Sequence, residues 1–557
     1  MIRSQVVVTK QTSLAPRGMV VAEHPRGAAV GAQILAGGGN AVDAAVATAL
    51  AMAVVEPFMS TIAGSGTMLV HLARRGETIA LNFNGVAPLA AHDSVYRVIG
   101  GVSDGLFPWP RTEDAANEYG HRSVAVPGSV AGLALALERY GTMELRDVLQ
   151  PAIALARDGF ETDWYLALSH AKFVQELAAF PETARTYLRE GRWIHRPAGM
   201  QPGDRTIYPD LARSLELIAR DGPDAFYRGA LGQALVDDMA AHGGLIRRQD
   251  LEAYRVLVEP ALAGRYRDTD LAFSPGPTGG PSALEALNIL GEFPPARVGW
   301  QTVEGLHLRA SAIACAFRDR FEHLGDPSAV KVPFERLLSR EHARSRAAEI
   351  RRGRRARSDG DEPVAGAPAA RADECTTHVG AIDRHRNMVA LTNTAVSLWG
   401  SRVVVPGTGI LLNNGMIWFD PEPGKANSVG PGKRGLVNMV PVLGFRRGAP
   451  AFTLGAPGGR AIVSAMPQVI SNLVDLKASA QAAIEAPRVH TEGGEVLVST
   501  RVGEKALLGL ARKGHRVVAK DESYSTLNFS RPVAVRVTPK GLEAGCEQYS
   551  AAAAAGH

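Results

Sequence analysis

Hydrophobic and polar positions change rhythm near residue 376. Upstream, residues 129–358 are mainly of helical period, with a strand-like break near 271–275. Downstream, 376–383, 388–396, 451–455, 496–499, 516–519 and 532–537 alternate or are rich in β-branched residues. Helical period persists there only at 461–474, 478–485 and 503–513. The first 128 residues mix both patterns. Met19-Val20-Val21 is an apolar start, a helix is expected over 27–35, and Gly37-Gly38-Gly39 ends it. Asn40 then stands as an N-cap with Asp43 in capping-box position. Ala44, Ala45, Ala49 and Ala51 make the second helix narrow, suited to a buried layer, and Glu56-Pro57 stops it. A glycine-rich loop over 60–66 lacks the lysine of a phosphate-binding loop and predicts tight packing before a strand at 67–70. A second strand is expected at 78–83, and 89–120 is mostly loop.

The most informative stretch begins at Glu374-Cys375-Thr376-Thr377-His378. Val379 and Ala381, then Met388 and Ala390, mark two apolar-alternating runs around the polar turn Asp383-Arg384-His385-Arg386-Asn387. That pattern predicts a β-hairpin. With Asp383 opposite Asn387, Thr376 lies opposite Thr394, and their hydroxyls are within hydrogen-bonding reach.

A hydroxyl is a weak nucleophile at neutral pH. One way to activate a threonine is its own free α-amine, which here requires a cut between Cys375 and Thr376. Residues 359–373 are rich in Gly, Ala and Pro without hydrophobic period and read as a linker ahead of that junction. Thr377 points to the opposite face by alternation, His378 to the same face as Thr376.

The run TTHVGAIDRHRN resembles the opening of the small subunit in γ-glutamyltranspeptidases, members of the N-terminal nucleophile hydrolase superfamily. GGNAVDAAVA with VVEP, VAVPGSVAGL, YGTMELRDVLQPAIALARDGF, GILLNN, GPGKR, LGAPGGRAI and APRVH resemble family segments in the family's order. The resemblance implies an α+β fold, a four-layer αββα sandwich built from two autoprocessed subunits, 1–375 and 376–557. It implies Thr376 as nucleophile and agent of cleavage, and Thr394 as the residue that orients it. Gly458 and Gly459 would form the oxyanion hole. His378 is expected to be structural and Cys375 a spectator at the cut. No cofactor is expected.

The glutamate clamp departs from the family pattern. Asn84 stands where the resemblance places a carboxylate-binding Arg, and Trp418 where it places an acid for the substrate amine. Val437-Asn438 replaces a Ser-Ser pair, and Val396 replaces an Asn. A neutral Asn cannot supply the bidentate charge of Arg. The expected reaction is therefore hydrolysis of a small amide outside the standard γ-glutamyl class, by a relative of acylases acting on cephalosporin side chains and of an oxamate amidohydrolase. The alternatives are a true γ-glutamyl hydrolase or transferase, and an unprocessed binding protein. The partners expected are the amide, water or an amine acceptor, and the two subunits themselves.

Composition narrows this picture further. The chain has 557 residues and a net charge of +5. Seven arginines between 344 and 357 account for that excess, and the cluster lacks the interleaved aromatics of a nucleic-acid face, so a solvated helix is expected there. Three cysteines, Cys315, Cys375 and Cys546, argue against a disulfide framework, and no Cys/His spacing signals a metal. The apolar run over 41–55 is too short for a span and carries Asp43. With no signal-peptide h-region at the start, a cytoplasmic location is expected.

Overall fold

The computed structural model describes residues 8–103, 105–353, 375–524 and 528–557. Two seven-stranded antiparallel sheets form the centre. The first runs in the order Ala553–Gly556, Met19–Ala22, Thr377–Ile382, Met388–Thr394, Ser65–Leu72, Glu77–Phe83 and Leu257–Pro260. The second runs Ser13–Ala15, Gly541–Cys546, Val533–Thr538, Ala449–Gly455, Val442–Arg446, Thr269–Phe273 and Leu262–Tyr266. Strands from both sides of residue 376 share each sheet.

The cores follow the two-residue period of the strands. Val379, Ala381, Val389 and Leu391 pack outward against helices Pro25–Ala36 and Ala41–Val55. Ile382, Met388, Ala390 and Leu69 point inward and meet Ala272, Leu443, Val533 and Val535 of the second sheet. Phe273, Val442, Phe452 and Leu454 face helices Gly280–Gly291, Val303–His323 and Ala461–Val474. This is the αββα sandwich.

Helix Ala41–Val55 is buried at every position. Asn40 accepts from the Val42 and Asp43 amides, and the Asp43 carboxylate accepts from Asn40 N, completing the capping box. Asp383 does more than turn the hairpin: it accepts from His385 N and Asn387 N, and its second oxygen takes the Ala41 amide at that helix's first turn. The turn is thereby tied to the helix layer.

Some expectations need correction. The single break near 271–275 is three strands, Leu257–Pro260, Leu262–Tyr266 and Thr269–Phe273. The last two form an edge hairpin whose alternation is hidden by the charges an edge carries, Arg265, Asp268 and Asp270. The loop 89–120 holds a small hairpin, Val98–Val102 with Pro110–Thr112. Strands Gly541–Cys546 and Ala553–Gly556 are rich in Gly and Ala, lack β-branched residues, and give little sequence signal. The basic segment is not simply solvated. Helix Arg340–Arg351 buries Ala343, Ala347 and Ile350, and its His342 and Arg346 bond to Asp319 at 2.8 and 3.0 Å. Residues 354–357 of the arginine cluster, and the linker expected over 359–373, lie outside the described residues.

Candidate active site

The hairpin register pairs Thr377 with Asn393 and His378 with Thr392, which sets Thr376 opposite Thr394 as expected. Thr376 Oγ1 donates to Thr394 Oγ1 at 3.1 Å. Thr394 Oγ1 also accepts from Val396 N at 2.8 Å. That bond needs an unusual backbone: Val396 sits at φ 93°, a costly region for a β-branched residue. Met59 O clamps both flanks of the open end, accepting from Cys375 Sγ at 2.8 Å and Ala395 N at 3.1 Å. Burial pushes the Cys375 thiol up to about 12, so it stays a neutral donor. The glycine-rich loop is tight packing: a Cβ on Gly64 would stand 2.5 Å from Thr394 O.

Register extends the hydroxyl pair into a row. Thr394 faces Ser65 across the next strand, and the pairing of Gly66 with Phe83 puts Ser65 beside Asn84. Thr376, Thr394, Ser65 and Asn84 therefore line one level of the sheet on the side facing the second sheet. Ser65 gave no sequence signal, because its role comes only from cross-strand register. Its Oγ accepts from Gly85 N at 2.9 Å. Asn84 is fully buried, and neither atom of its side-chain amide has a hydrogen-bond partner. A buried amide left so is paired by water or ligand in a working protein.

The second sheet supplies the opposite wall. Gly455 lies on the His378 ring, where a Cβ would come within 2.1 Å of Cε1. One step along, a Cβ on Gly380 would stand 2.9 Å from Val21 and 3.1 Å from Thr453 Cγ2. The chain leaves strand Ala449–Gly455 after Gly455 and runs into Pro457-Gly458. Gly458 (φ 130°) and Gly459 (φ 48°) turn the chain into helix Ala461–Val474, and a Cβ on Gly458 would collide with Ser530. Backbone N–H groups entering a helix suit a developing oxyanion. His378 is fully buried, bonded to Thr392 Oγ1 at 2.9 Å, and burial pushes it down to about 3. It is neutral at working pH, with Nδ1 engaged by Thr392. Thr377 lies on the helix face of the sheet.

Val396, Trp418 and Val437 come together in one buried apolar cluster with Leu106, Phe107, Ile417 and Met439. The loop carrying Leu106 and Phe107 closes over it, and Trp109 Nε1 donates to Ile417 O. Asn438 is already engaged: its Oδ1 accepts from the buried Arg320, which also holds Val437 O and Thr278 O. Beside this cluster Arg460 pairs with Glu492 at 2.7 Å, with the rings of Phe107, Trp109 and Phe321 around its guanidinium. Burial and the nearby Arg460 push Arg320 down to about 9, so it remains charged at neutral pH. Arg460 stands directly after the two glycines in LGAPGGRAI, and Leu106-Phe107-Pro108-Trp109 is apolar within a loop. Those two features were the available clues to this part of the site.

The paired asparagines are scaffolding. Asn413 Nδ2 bonds to Ala63 O and Ala125 O, and Asn414 Nδ2 to Glu118 O and Ser397 Oγ. They knit the glycine loop, the pocket loop and the segment after Thr394 into one unit.

The layered fold defines the chain as an enzyme of the N-terminal nucleophile type, a hydrolase or transferase. It belongs to the gamma-glutamyltranspeptidase family, whose model matches residues 27–557. It is 39% identical over 537 residues to the acylase ACY 1 proenzyme of Pseudomonas sp. strain SE83, covering 96% of this chain and 92% of that protein. It is 34% identical over 526 residues to the glutathione hydrolase proenzyme of Escherichia coli strain K12, covering 92% and 88%. The crystal structure of cephalosporin acylase from Bacillus halodurans superposes with a TM-score of 0.85 at 27% identity, covering 100% of this chain and 99% of that one. No helix among the described residues is long and apolar enough to cross a membrane.

Proposed function

We propose that the chain cuts itself between Cys375 and Thr376 into subunits 1–375 and 376–557, and then hydrolyses a small amide through an ester on Thr376. In the first reaction Thr376 Oγ adds to the Cys375 carbonyl. The C–N bond breaks, leaving an ester and a free α-amine, and water releases Cys375 as a carboxylate. In the second, that amine takes the hydroxyl proton as Oγ adds to the substrate carbonyl. The Gly458 and Gly459 N–H groups hold the oxyanion, and the leaving amine departs with the proton. Water then frees the acid. Thr394 orients Oγ throughout.

The observation that carries the specificity is the charge of the residues at the clamp positions. Asn84 is one buried uncharged amide, and Val396, Trp418 and Val437 form a buried apolar cluster, at the positions where the resemblance places the glutamate clamp. Arg320 and Arg460 stand nearby with Glu492 as the paired carboxylate. An acyl group bearing an ammonium would be buried without a partner there, at several kcal/mol. The proposed substrate is an amide whose acyl group has no α-ammonium. The test is kcat/KM for a γ-glutamyl anilide against a panel of simple acyl anilides. The simple ones should lead, and a glutamyl preference would return the chain to the glutathione hydrolase reading that the 34% identical relative favours. One uncut band on a denaturing gel from active protein would remove the self-cleavage scheme. A cytoplasmic location is proposed on the three buried free cysteines, and cell fractionation checks it.

A further inference from the structure

Far along the chain from the catalytic hairpin, two imidazoles share one carboxylate. His121 lies in the short turn His121–Ser123, ahead of helix Ser129–Tyr140. Asp238 lies in helix Ala230–Ala241, and His242 caps that helix one turn later. The i,i+4 spacing sets Asp238 and His242 on one face. His121 Nε2 stands 3.0 Å from Asp238 Oδ2, and His242 Nδ1 3.0 Å from Asp238 Oδ1. The two rings stack with centroids 4.4 Å apart and planes at 16°. One potential ligand atom from each of the three residues lies within 4.8 Å of the others.

We propose that His121, Asp238 and His242 bind a divalent transition-metal ion of the zinc class. Two imidazole nitrogens and a carboxylate oxygen are a donor set that suits zinc once the exposed His242 ring turns out of its stack on His121, because a bound metal lies in the plane of each imidazole, and a further position is left for water. The ion would take the place of the direct contacts that now join the two rings to Asp238. Asp238 is buried and held in place, while His242 is 55% exposed and gives the ion an entry. A second group, Glu285, Asp319 and His342, does not offer this: Arg346 and His342 already bring positive charge to Asp319. The third, Asp319 with Glu322 and His323, shares that same engaged aspartate. No motif announced the His121 site, because its halves are 117 residues apart.

The ion would pin a turn that is bonded to the segments of Ser401 and Asn414. Gly120 N donates to Ser401 O at 2.9 Å, and Glu118 O accepts from Asn414 Nδ2. The site stands independently of the proposed amide chemistry.

The experiment uses untagged full-length protein stripped with chelator and titrated with Co²⁺, whose visible absorption reports nitrogen and oxygen ligation, followed by Zn²⁺ competition. The expected result is one Co²⁺ per chain, displaced by Zn²⁺, with Tm rising as metal is added. His242→Ala should weaken binding by roughly 10-fold or more and abolish the Tm response, while circular dichroism and basal turnover stay at wild-type values. His121→Ala should do the same. Absence of saturable binding to wild type, or equal binding to His242→Ala, overturns the site.

Discussion

The open end of the hairpin and the buried apolar wall of Val396, Trp418 and Val437 are two residues apart along the chain at Thr394 and Val396, yet different forces hold them. At the hairpin, hydrogen bonds fix each group: Thr376 to Thr394, Thr394 to Val396 N, and Cys375 and Ala395 to Met59 O. The wall is held by apolar burial, with Leu106, Phe107 and Met439 packed on it and Arg320 securing its backbone. A hydrogen-bonded row demands particular residue types at particular registers. An apolar wall tolerates any side chains of suitable volume. The part of the cleft proposed for bond-breaking is thus the part least free to change. The part proposed for substrate choice can change while the fold stays.

The strongest test of that division is Thr376→Ala. If the hairpin carries both reactions, the variant remains one chain on a denaturing gel, turnover falls below detection, and its circular dichroism stays that of the folded wild type. A cut and active variant would move the chemistry elsewhere.

A smaller effect is expected at the wall. Trp418→Asp alone puts a carboxylate among Leu106, Phe107, Val396 and Val437 and removes a packed indole, at about 3–5 kcal/mol. Tm should fall clearly. Adding Asn84→Arg should shift the kcat/KM ratio of γ-glutamyl anilide over a simple acyl anilide by about 10-fold toward glutamyl, equivalent to about 1.4 kcal/mol. Self-cleavage, followed in parallel, should persist. Lost cleavage with an unchanged substrate ratio would show that wall and hairpin are not separable.

How far sequence could be read follows the same line. The hairpin was legible to the residue because alternation and a polar turn fix register, and register alone pairs Thr376 with Thr394. Helix Ala41–Val55 was legible through its capping box. Ser65 was not, since nothing in its neighbourhood says which strand it will face. Val396, Trp418 and Val437 were marked by their departure from a family pattern, but the loop that covers them was not, because Phe107 and Trp109 sit in no periodic pattern. The edge hairpin over 262–273 was hidden by its charges, and the small-residue strands near the C-terminus by their lack of β-branched residues.

Thr394→Ala should have a moderate effect. It removes the partner of Thr376 Oγ1 and leaves Val396 N without its acceptor. The two losses are worth about 1–3 kcal/mol together, short of unfolding. Cleavage should slow and kcat should drop while the substrate ratio is unchanged, and Thr394→Ser should recover most of both. Unchanged cleavage and turnover would show that the hydroxyl pair orients nothing.

The smallest expected effect is on the pH profile, and it separates the base from its neighbour. His378 faces the same side as Thr376 and would be the obvious base in another setting. Here it is fully buried, bonded to Thr392 and pushed down to about 3. It is already neutral throughout the range in which turnover is measured. If the α-amine freed at Thr376 is the base, kcat/KM should fall on its acid side with a limb near the ordinary α-amine value of about 8, with no step near the ordinary histidine value of about 6.5. Burial of His378 shows instead in stability. The unfolded chain takes up a proton near pH 6.5 that the folded chain refuses until about pH 3. His378 therefore costs nothing above about pH 6.5, and stability is drawn down progressively between that point and about pH 3. Replacing His378 with Gln should flatten this part of the acid-unfolding curve without moving the activity limb. A limb at about 6.5 in wild type that vanishes in His378→Gln would make the histidine the base in place of the α-amine.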